Sequence, residues 1–132
     1  QILFYDEPSA GLDPVTSAQI DQLILALTNQ LGVTSVVVTH EMDSAFTIAD
    51  RMAMLDHGRI LKVETRAWYE QLRDDPDPEG RPEDERLIRQ FLRGDAEGPI
   101  TERQSADAYG EALFGPAETS SLLPTPSVEP TR

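Results

Sequence analysis

The chain carries the stretch ILFYDEPSAGLDP at residues 2–14, and this stretch decides how the beginning of the sequence folds. Its apolar run is short and unbroken, which is typical of a parallel strand buried on both faces. Asp13 followed by Pro14 predicts the start of a helix, because a side-chain acceptor caps the first turn and a proline there loses no hydrogen bond. The stretch therefore predicts a buried strand, an acidic turn and a capped helix.

A regular apolar pattern follows this start. Five side chains recur at helical spacing and predict one buried face of a long helix that ends before Gly32. The β-branched residues at 33–39 then predict a second buried strand, with His40 at its carboxyl end. Asp43 or Ser44 is expected to cap a short helix after it. The five side chains of the helical pattern are Ile20, Leu23, Ile24, Leu27 and Leu31.

The next segment predicts a β-hairpin. Apolar runs at residues 52–55 and 60–63 flank a polar turn, which is the pattern of two antiparallel strands joined by a tight connection. Thr65 is expected to cap a further helix through Leu72. The order strand, helix, strand, helix, hairpin, helix predicts an α/β fold with parallel strands and flanking helices.

Proline content separates the later part of the chain from this α/β part. Residues 1–72 hold the predicted α/β elements. Residues 73–94 combine a polar linker at residues 73–82 with one amphipathic helix from Glu83 to Arg93 that stops at Gly94. Residues 95–132 form a C-terminal extension rich in proline, serine and threonine. We expect it to be largely irregular, and disordered after about residue 115.

Charge and composition exclude several classes of protein. The 132 residues carry a formal net charge of −13 and no cysteine, so a basic surface for nucleic acid and a thiolate metal site are not expected. No apolar run approaches the roughly 20 residues that span a bilayer. The composition predicts no nucleic-acid partner and no direct membrane insertion.

Two adjacent carboxylates, Asp6 and Glu7, follow the first strand, where α/β sheets bind their ligands. One can hold Mg²⁺, usually through a water, while the other orients or deprotonates a water that attacks a γ-phosphate. The alternative is a strand that simply runs into a polar turn. His40 has a similar alternative as a surface histidine at a strand end, and His57, in the hairpin turn, is assigned no function.

The continuous DEPSAGLD stretch and the later Thr39-His40-Glu41 resemble the C-terminal half of an ABC-type ATPase subunit, a P-loop NTPase fold. The resemblance implies that Asp6 is the Walker B carboxylate on the Mg²⁺ side, through water, and that Glu7 is the general base. It implies that His40 is the switch histidine that contacts the γ-phosphate of ATP. The remaining nucleotide-site residues would belong to the D-loop, which reaches the partner of a homodimer; they are Ser9, Gly11 and Asp13.

Other motifs of this family are absent from the sequence. No G-x-x-x-x-G-K-[ST] loop, glutamine loop or Leu-Ser-Gly-Gly type signature occurs in the 132 residues. In the family these precede Walker B, and the chain opens inside an apolar run. We therefore expect a fragment of a longer protein. The full-length protein is expected to be an ATPase and the fragment alone to be inactive.

The later segment resembles a particular group within the family. Arg89-Gln90-Phe91-Leu92-Arg93-Gly94 and the following Gly98-Pro99 resemble the C-terminus of Mla-type lipid-transport ATPases. This resemblance implies a cytoplasmic subunit, bound to the inner membrane through an integral-membrane permease, that energises phospholipid transport for outer-membrane asymmetry. The insert at residues 79–82 and the tail after Phe114 depart from the pattern.

Three alternatives stay open at this stage. The first is an ABC ATPase for another importer or exporter, such as one for amino acids or solvents. The second is an ABC ATPase of the DNA-repair type, against which the short acidic C-terminus argues. The third is a non-catalytic remnant that neither binds nor hydrolyses ATP.

Overall fold

The computed structural model describes residues 1–103, so the extension beyond residue 103, with its predicted disorder, lies outside the described residues. The described part is a mixed α/β arrangement with one parallel strand pair and one antiparallel hairpin. The predicted order of elements is confirmed. In chain order they are β1 (Ile2–Asp6), α1 (Pro14–Leu31), β2 (Thr34–Val38), α2 (Met42–Ile48), β3 (Arg51–Asp56), β4 (Arg59–Thr65), α3 (Arg66–Asp74), α4 (Glu83–Arg93) and α5 (Pro99–Arg103).

β1 and β2 pair in parallel. Ile2 lies opposite Thr34 at one end, and Asp6 lies opposite Val38 at the other. α1 supplies the crossover connection that two parallel strands need. Because the two strands end at the same edge, the residues after β1 come to lie beside the residues after β2. This edge carries the candidate site described below.

α1 begins and ends as predicted. The Asp13 carboxylate accepts hydrogen bonds from the backbone N–H groups of Val15, at 3.0 Å, and Thr16, at 3.1 Å. Gly32 takes a left-handed backbone conformation with φ of 60°, and its N–H bonds to the Thr28 carbonyl. The acidic cap and the glycine thus pair backbone groups that helix ends leave without partners.

The predicted apolar face of α1 is wrong in part. Ile24 is buried as expected, but Leu23 and Leu31 are exposed, and the other buried residues are Ser17 and Asp21. An 18-residue helix is about 27 Å long, whereas a five-residue strand spans roughly 17 Å. α1 is therefore longer than the narrow sheet it covers, and only the stripe that faces the sheet and α2 is buried.

The prediction that both sheet faces are buried is also wrong. Phe4 and Val38 are 75% and 56% exposed, and they share a face with the exposed Ile2 and Val36. The residues that alternate with them are half-buried on the side where the Thr28 hydroxyl of α1 lies 2.5 Å from that of Ser35. Within residues 1–103, helices cover one face of this sheet only.

α2 begins earlier than predicted. Its N-cap residue is Glu41, which makes no capping side-chain bond, so neither Asp43 nor Ser44 caps the helix. Ser44 is instead buried within the helix, and its hydroxyl donates to Oδ2 of Asp21 at 2.9 Å. The serine was predicted as a helix cap, but it joins α2 to α1.

The predicted hairpin is confirmed. β3 and β4 pair antiparallel, and Asp56 lies opposite Arg59 across a two-residue connection. Both connecting residues, His57 and Gly58, have positive φ, at 46° and 75°. This is the backbone of a type I′ turn, whose twist matches that of the strands it joins.

The apolar core lies between the hairpin and the two helices after it. Tyr69 and Leu72 of α3 pack with Ile88 and Leu92 of α4, and partly buried side chains of the hairpin and α2 surround them. The Tyr69 hydroxyl donates to the Lys62 carbonyl at 3.0 Å. Thr65 caps α3 as predicted, accepting from the Trp68 N–H. These partly buried neighbours include Met42, Phe46, Met52, Met54 and Leu61.

The segment between α3 and α4 is shorter than the predicted linker, because α3 continues to Asp74. Polar contacts hold the remaining residues 75–82 in place. The Arg81 guanidinium bonds to the Asp75 carboxylate, and that of Arg89 donates twice to the Asp75 carbonyl, at 2.7 Å and 3.1 Å. Arg81 also donates to Oε2 of Glu85 at 2.9 Å, so both ends of the segment are anchored to α4.

α4 has the predicted bounds and ends at Gly94, whose φ is 67°. α5 was not predicted, since the extension was expected to be irregular. It is held by Gln90, which is buried: Oε1 accepts from the Ile100 N–H at 2.7 Å, and Nε2 donates to the Asp95 carbonyl at 3.1 Å. The buried Gln90 amide therefore joins the start of the extension to α4.

The position of α4 in the core predicts a difference between two isoleucines. Ile88→Ala is expected to lower the free energy of unfolding by about 2–5 kcal/mol, because Ile88 is fully buried at 0% exposure. Ile60→Ala makes the same change at 58% exposure, and its expected cost is about 0.5 kcal/mol. Urea denaturation of both variants measures this difference. Equal losses would show that α4 does not close the core.

Candidate functional site

The site is built around Glu7, the residue directly after β1. Its backbone N–H donates to the Val38 carbonyl at 2.8 Å, which extends the parallel pairing by one bond. Its φ is 45°, in the left-handed region that residues other than glycine rarely occupy. Such strain persists only where surrounding contacts impose it, and it is concentrated at functional sites.

The Glu7 carboxylate supplies those contacts. Oε1 accepts from the His40 backbone N–H at 3.2 Å and lies 2.8 Å from Nδ1 of the His40 ring. Oε2 accepts from the Thr39 hydroxyl at 3.3 Å. One carboxylate thus gathers three groups from the end of β2. The His40 side chain is 71% exposed, so it remains accessible to a ligand.

This contact shifts the pKa values of both side chains in the directions expected for an ion pair. The hydrogen bond from His40 lowers the pKa of the Glu7 carboxyl below its ordinary value of 4.5. The same bond raises the pKa of His40 above its ordinary value of 6.5. Each charged form stabilises the other. Glu7 is therefore ionised at neutral pH and can accept a proton.

Asp6 lies on the opposite side of the strand from its neighbours, at the exposed end of β1. Residues 1–103 offer its carboxylate no hydrogen bond or ion pair. A free carboxylate at a strand end fits the donor set of Mg²⁺, which binds one or two protein carboxylates together with phosphate oxygens and waters. Within the same residues, no group of three or more acidic, histidine or cysteine side chains is placed to hold a metal by itself.

The other predicted site residues are placed differently. Ser9 is only 1% exposed, and its hydroxyl donates to Oε2 of Glu41 at 3.1 Å. Gly11 has φ of 75°, a conformation that favours glycine. The Thr16 hydroxyl lies 2.5 Å from Oδ2 of Asp13, and it lowers the pKa of the Asp13 carboxyl. The structure thus joins Glu7 to His40 directly, whereas Asp13 is occupied by its own helix.

Sequence reasoning missed four residues that support this arrangement. Thr39 and Glu41 flank His40, and each bonds to the segment after β1. Asp21 and Ser44 link the two helices that follow the strands. A signal for Asp21 was present, because it lies one turn before Ile24 on the predicted inward face of α1, where a lone acid needs a polar partner.

No helix within residues 1–103 has the length and apolar content needed to cross a bilayer.

Comparison with curated proteins tests the family resemblance. The chain is 35% identical over 113 residues to the intermembrane phospholipid transport system ATP-binding protein MlaF of Escherichia coli K12, a match covering 86% of this chain. It is 36% identical over 123 residues to the probable ribonucleotide transport ATP-binding protein mkl of Mycobacterium tuberculosis H37Rv, covering 93% of this chain. This chain is related to the ATP-binding subunits of ABC transporters.

A shorter match points to the same family. The methionine import ATP-binding protein MetN of Carboxydothermus hydrogenoformans is 44% identical over 62 residues, or 47% of this chain. The matches cover 38% of MlaF, 30% of mkl and 18% of MetN, so the chain spans well under half the length of these relatives. No protein-family model matches the chain.

The Glu7–His40 contact predicts a specific titration. Pairing stabilises the fold most between pH 4.5 and 6.5. Above this range the stabilisation is lost as pH rises through the raised pKa of His40. Below this range it is lost as pH falls through the lowered pKa of Glu7. Glu7→Gln is expected to shift the His40 midpoint downward, as followed by NMR of the ring protons. Glu79→Gln, in the exposed linker, is the control. An unchanged midpoint in Glu7→Gln would show that the two side chains do not pair in solution.

Proposed function

We propose that this chain is part of an ATP-hydrolysing subunit of an ABC transporter, built on the P-loop NTPase fold. The observation that supports the proposal is the contact between Glu7 and His40 at the adjacent ends of two parallel strands, 2.8 Å apart. Ligands of α/β sheets bind at such carboxyl ends. ABC ATP-binding relatives over most of the chain make ATP the substrate that this arrangement fits best.

The proposed chemistry assigns one task to each side chain. Glu7 accepts a proton from the water that attacks the γ-phosphate, a role that its ionised carboxylate suits. His40 donates a hydrogen bond to a γ-phosphate oxygen, and its raised pKa favours the charged form that an anion attracts. Asp6 would hold Mg²⁺ through a water. The bound Mg²⁺ would neutralise charge on the phosphates.

The remaining predicted residues serve the proposed dimer. Ser9, Gly11 and Asp13 form the turn between β1 and α1, and we propose that this turn meets the nucleotide site of a second ATPase subunit. Asp13 has a double role in this proposal, since it also caps α1. Residues 1–72 would supply the catalytic part, residues 73–94 the linker and helix, and residues 95–132 an extension.

The 132-residue chain alone is proposed to be inactive. It contains no Gly-rich loop with a lysine for the β- and γ-phosphates, and backbone N–H groups of such a loop supply much of the phosphate binding. The complete protein would add these groups. Activity is therefore a property to measure on the complete protein.

Phospholipid is the transport substrate that we propose. Support comes from the match to MlaF and from the resemblance of residues 89–94 to the C-terminus of Mla-type ATPases. The names of mkl and MetN indicate ribonucleotides and methionine as the competing substrates. In this proposal the subunit lies on the cytoplasmic side of the inner membrane, bound to an integral-membrane permease. Lipid-stimulated ATP hydrolysis of the complex would separate these substrates.

In the complete protein, Glu7→Gln is expected to lower kcat for ATP hydrolysis by about 10²–10⁴-fold, because it removes a general base. ATP affinity is expected to stay unchanged, since no phosphate contact is lost. A phosphate-release assay and ATP titration measure the two quantities. Turnover near the wild-type rate would exclude Glu7 as the base, and absence of turnover in the wild type would exclude the ATPase proposal.

His40→Ala is expected to reduce hydrolysis far more than thermal stability, because its side chain is exposed and its one hydrogen bond among the described residues is to the Glu7 carboxylate. His57→Asn is the matched control: His57 is also an exposed histidine bonded to a neighbouring acid, and asparagine tolerates its left-handed backbone. ATPase rate and melting temperature are measured together. A drop in melting temperature that accounts for the lost rate would make His40 structural.

A further inference from the structure

A ring of hydrogen bonds joins the segment after β1 to the segment after β2. The Thr39 hydroxyl donates to Oε2 of Glu7 at 3.3 Å and accepts from the Glu41 N–H at 3.1 Å. Oε2 of Glu41 then accepts from the Ser9 hydroxyl at 3.1 Å. The backbone from Ser9 to Glu7 closes the ring, tightened by a turn bond from the Ala10 N–H to the Glu7 carbonyl at 3.1 Å.

The Ser9–Glu41 bond includes the one buried residue of this ring. Ser9 is only 1% exposed, and Glu41 is half-buried. A hydroxyl that donates to an ionised carboxylate makes a stronger hydrogen bond than one between neutral groups. Loss of the Glu41 carboxylate would leave the buried Ser9 hydroxyl without its hydrogen bond, and loss of Ser9 would remove the bond from Glu41. The bond therefore resists separation of the two segments.

The positions of Glu7 and His40 depend on a contact that holds the two segments together. The backbone of Glu7 is strained, with φ of 45°, and surrounding contacts must impose that conformation. The His40 side chain is largely exposed and is held through Glu7. Its position is thus determined by the backbone at residues 39–41 and not by packing. Glu41 anchors this backbone through Ser9.

We propose that the Ser9–Glu41 hydrogen bond is a positioning contact that fixes His40 relative to Glu7. Ser9 and Glu41 act through the backbone and do not touch the reacting atoms. The geometric part of the proposal stands without any enzymatic activity. Its effect on turnover rests on the proposed function.

Hydrogen exchange in the full chain tests the geometric part. Ser9→Ala and Glu41→Ala are each expected to speed exchange of the Glu7 and Glu41 amide hydrogens by about tenfold. Glu41→Gln keeps an acceptor for the Ser9 hydroxyl and is expected to restore near-wild-type rates. Thr47→Ala is the matched control, since it removes a hydroxyl from α2 that, among residues 1–103, bonds only to the Asp43 carbonyl.

The double variant and the core amides separate positioning from general destabilisation. In the double variant Ser9→Ala with Glu41→Ala, the Glu7 and Glu41 amide hydrogens are expected to exchange no faster than in either single variant, because both substitutions remove the same hydrogen bond. Amides of α3 and α4 are expected to keep their rates. Unchanged rates at Glu7 and Glu41, equal acceleration at every amide, or additive effects in the double variant would each overturn the proposal.

Turnover in the complete protein provides the second readout. Ser9→Ala is expected to lower kcat about tenfold with KM unchanged, and Glu41→Gln to lie closer to the wild type than Glu41→Ala. If the wild type hydrolyses no ATP, the proposed function fails while the exchange result still decides the positioning. If KM rises and kcat is unchanged, Ser9 serves binding, and the positioning role is wrong.

Discussion

The parallel pairing of β1 with β2 is the constraint on which the site depends. Asp6 lies opposite Val38, and one further bond from the Glu7 N–H to the Val38 carbonyl sets Glu7 beside Thr39 and His40. Side chains alternate along a strand, so a slip of one residue would turn Glu7 away from His40 and bury Asp6 instead. The catalytic proposal therefore needs this register, and so does the hydrogen-bonded ring behind it.

Different interactions stabilise the two parts of the described structure. The apolar core joins the hairpin to α3 and α4, with its fully buried side chains at residues 69–92. Around the site, Ile24 is the one buried hydrophobic side chain among the first 50 residues, and buried polar groups take over. Two hydrogen bonds connect the elements there: Asp21–Ser44 joins α1 to α2, and Ser9–Glu41 joins the segments after β1 and β2. Because a polar bond is directional, this part gains defined geometry at the expense of stability.

Local signals predicted most of the fold, and contacts between distant residues account for the rest. Asp13, Gly32 and Gly94 mark helix ends through their own backbone chemistry, so those bounds were predictable. The exposure of Phe4 and Leu23 was not, because periodicity shows that a face is apolar but not what covers it. The sequence placed Glu7 after the first strand and His40 after the second, and the parallel pairing of β1 with β2 brings the two side chains together. Ser9 and Glu41 are 32 residues apart in the sequence, and no local sequence pattern predicts their contact.

The charge of the site region supports the proposal that a nucleotide is bound only with the help of further residues. The first 50 residues contain seven acids and no lysine or arginine, so the site region is strongly negative apart from His40. A triphosphate adds several more negative charges, and at physiological ionic strength salt screens the repulsion between exposed charges only beyond about 8 Å. The backbone N–H groups at the N-terminus of α1 do not offset this negative charge, because the Asp13 carboxylate already accepts their hydrogen bonds. In the proposed ATPase, binding of ATP would therefore draw on Mg²⁺ together with cationic or N–H donor groups from outside these 50 residues.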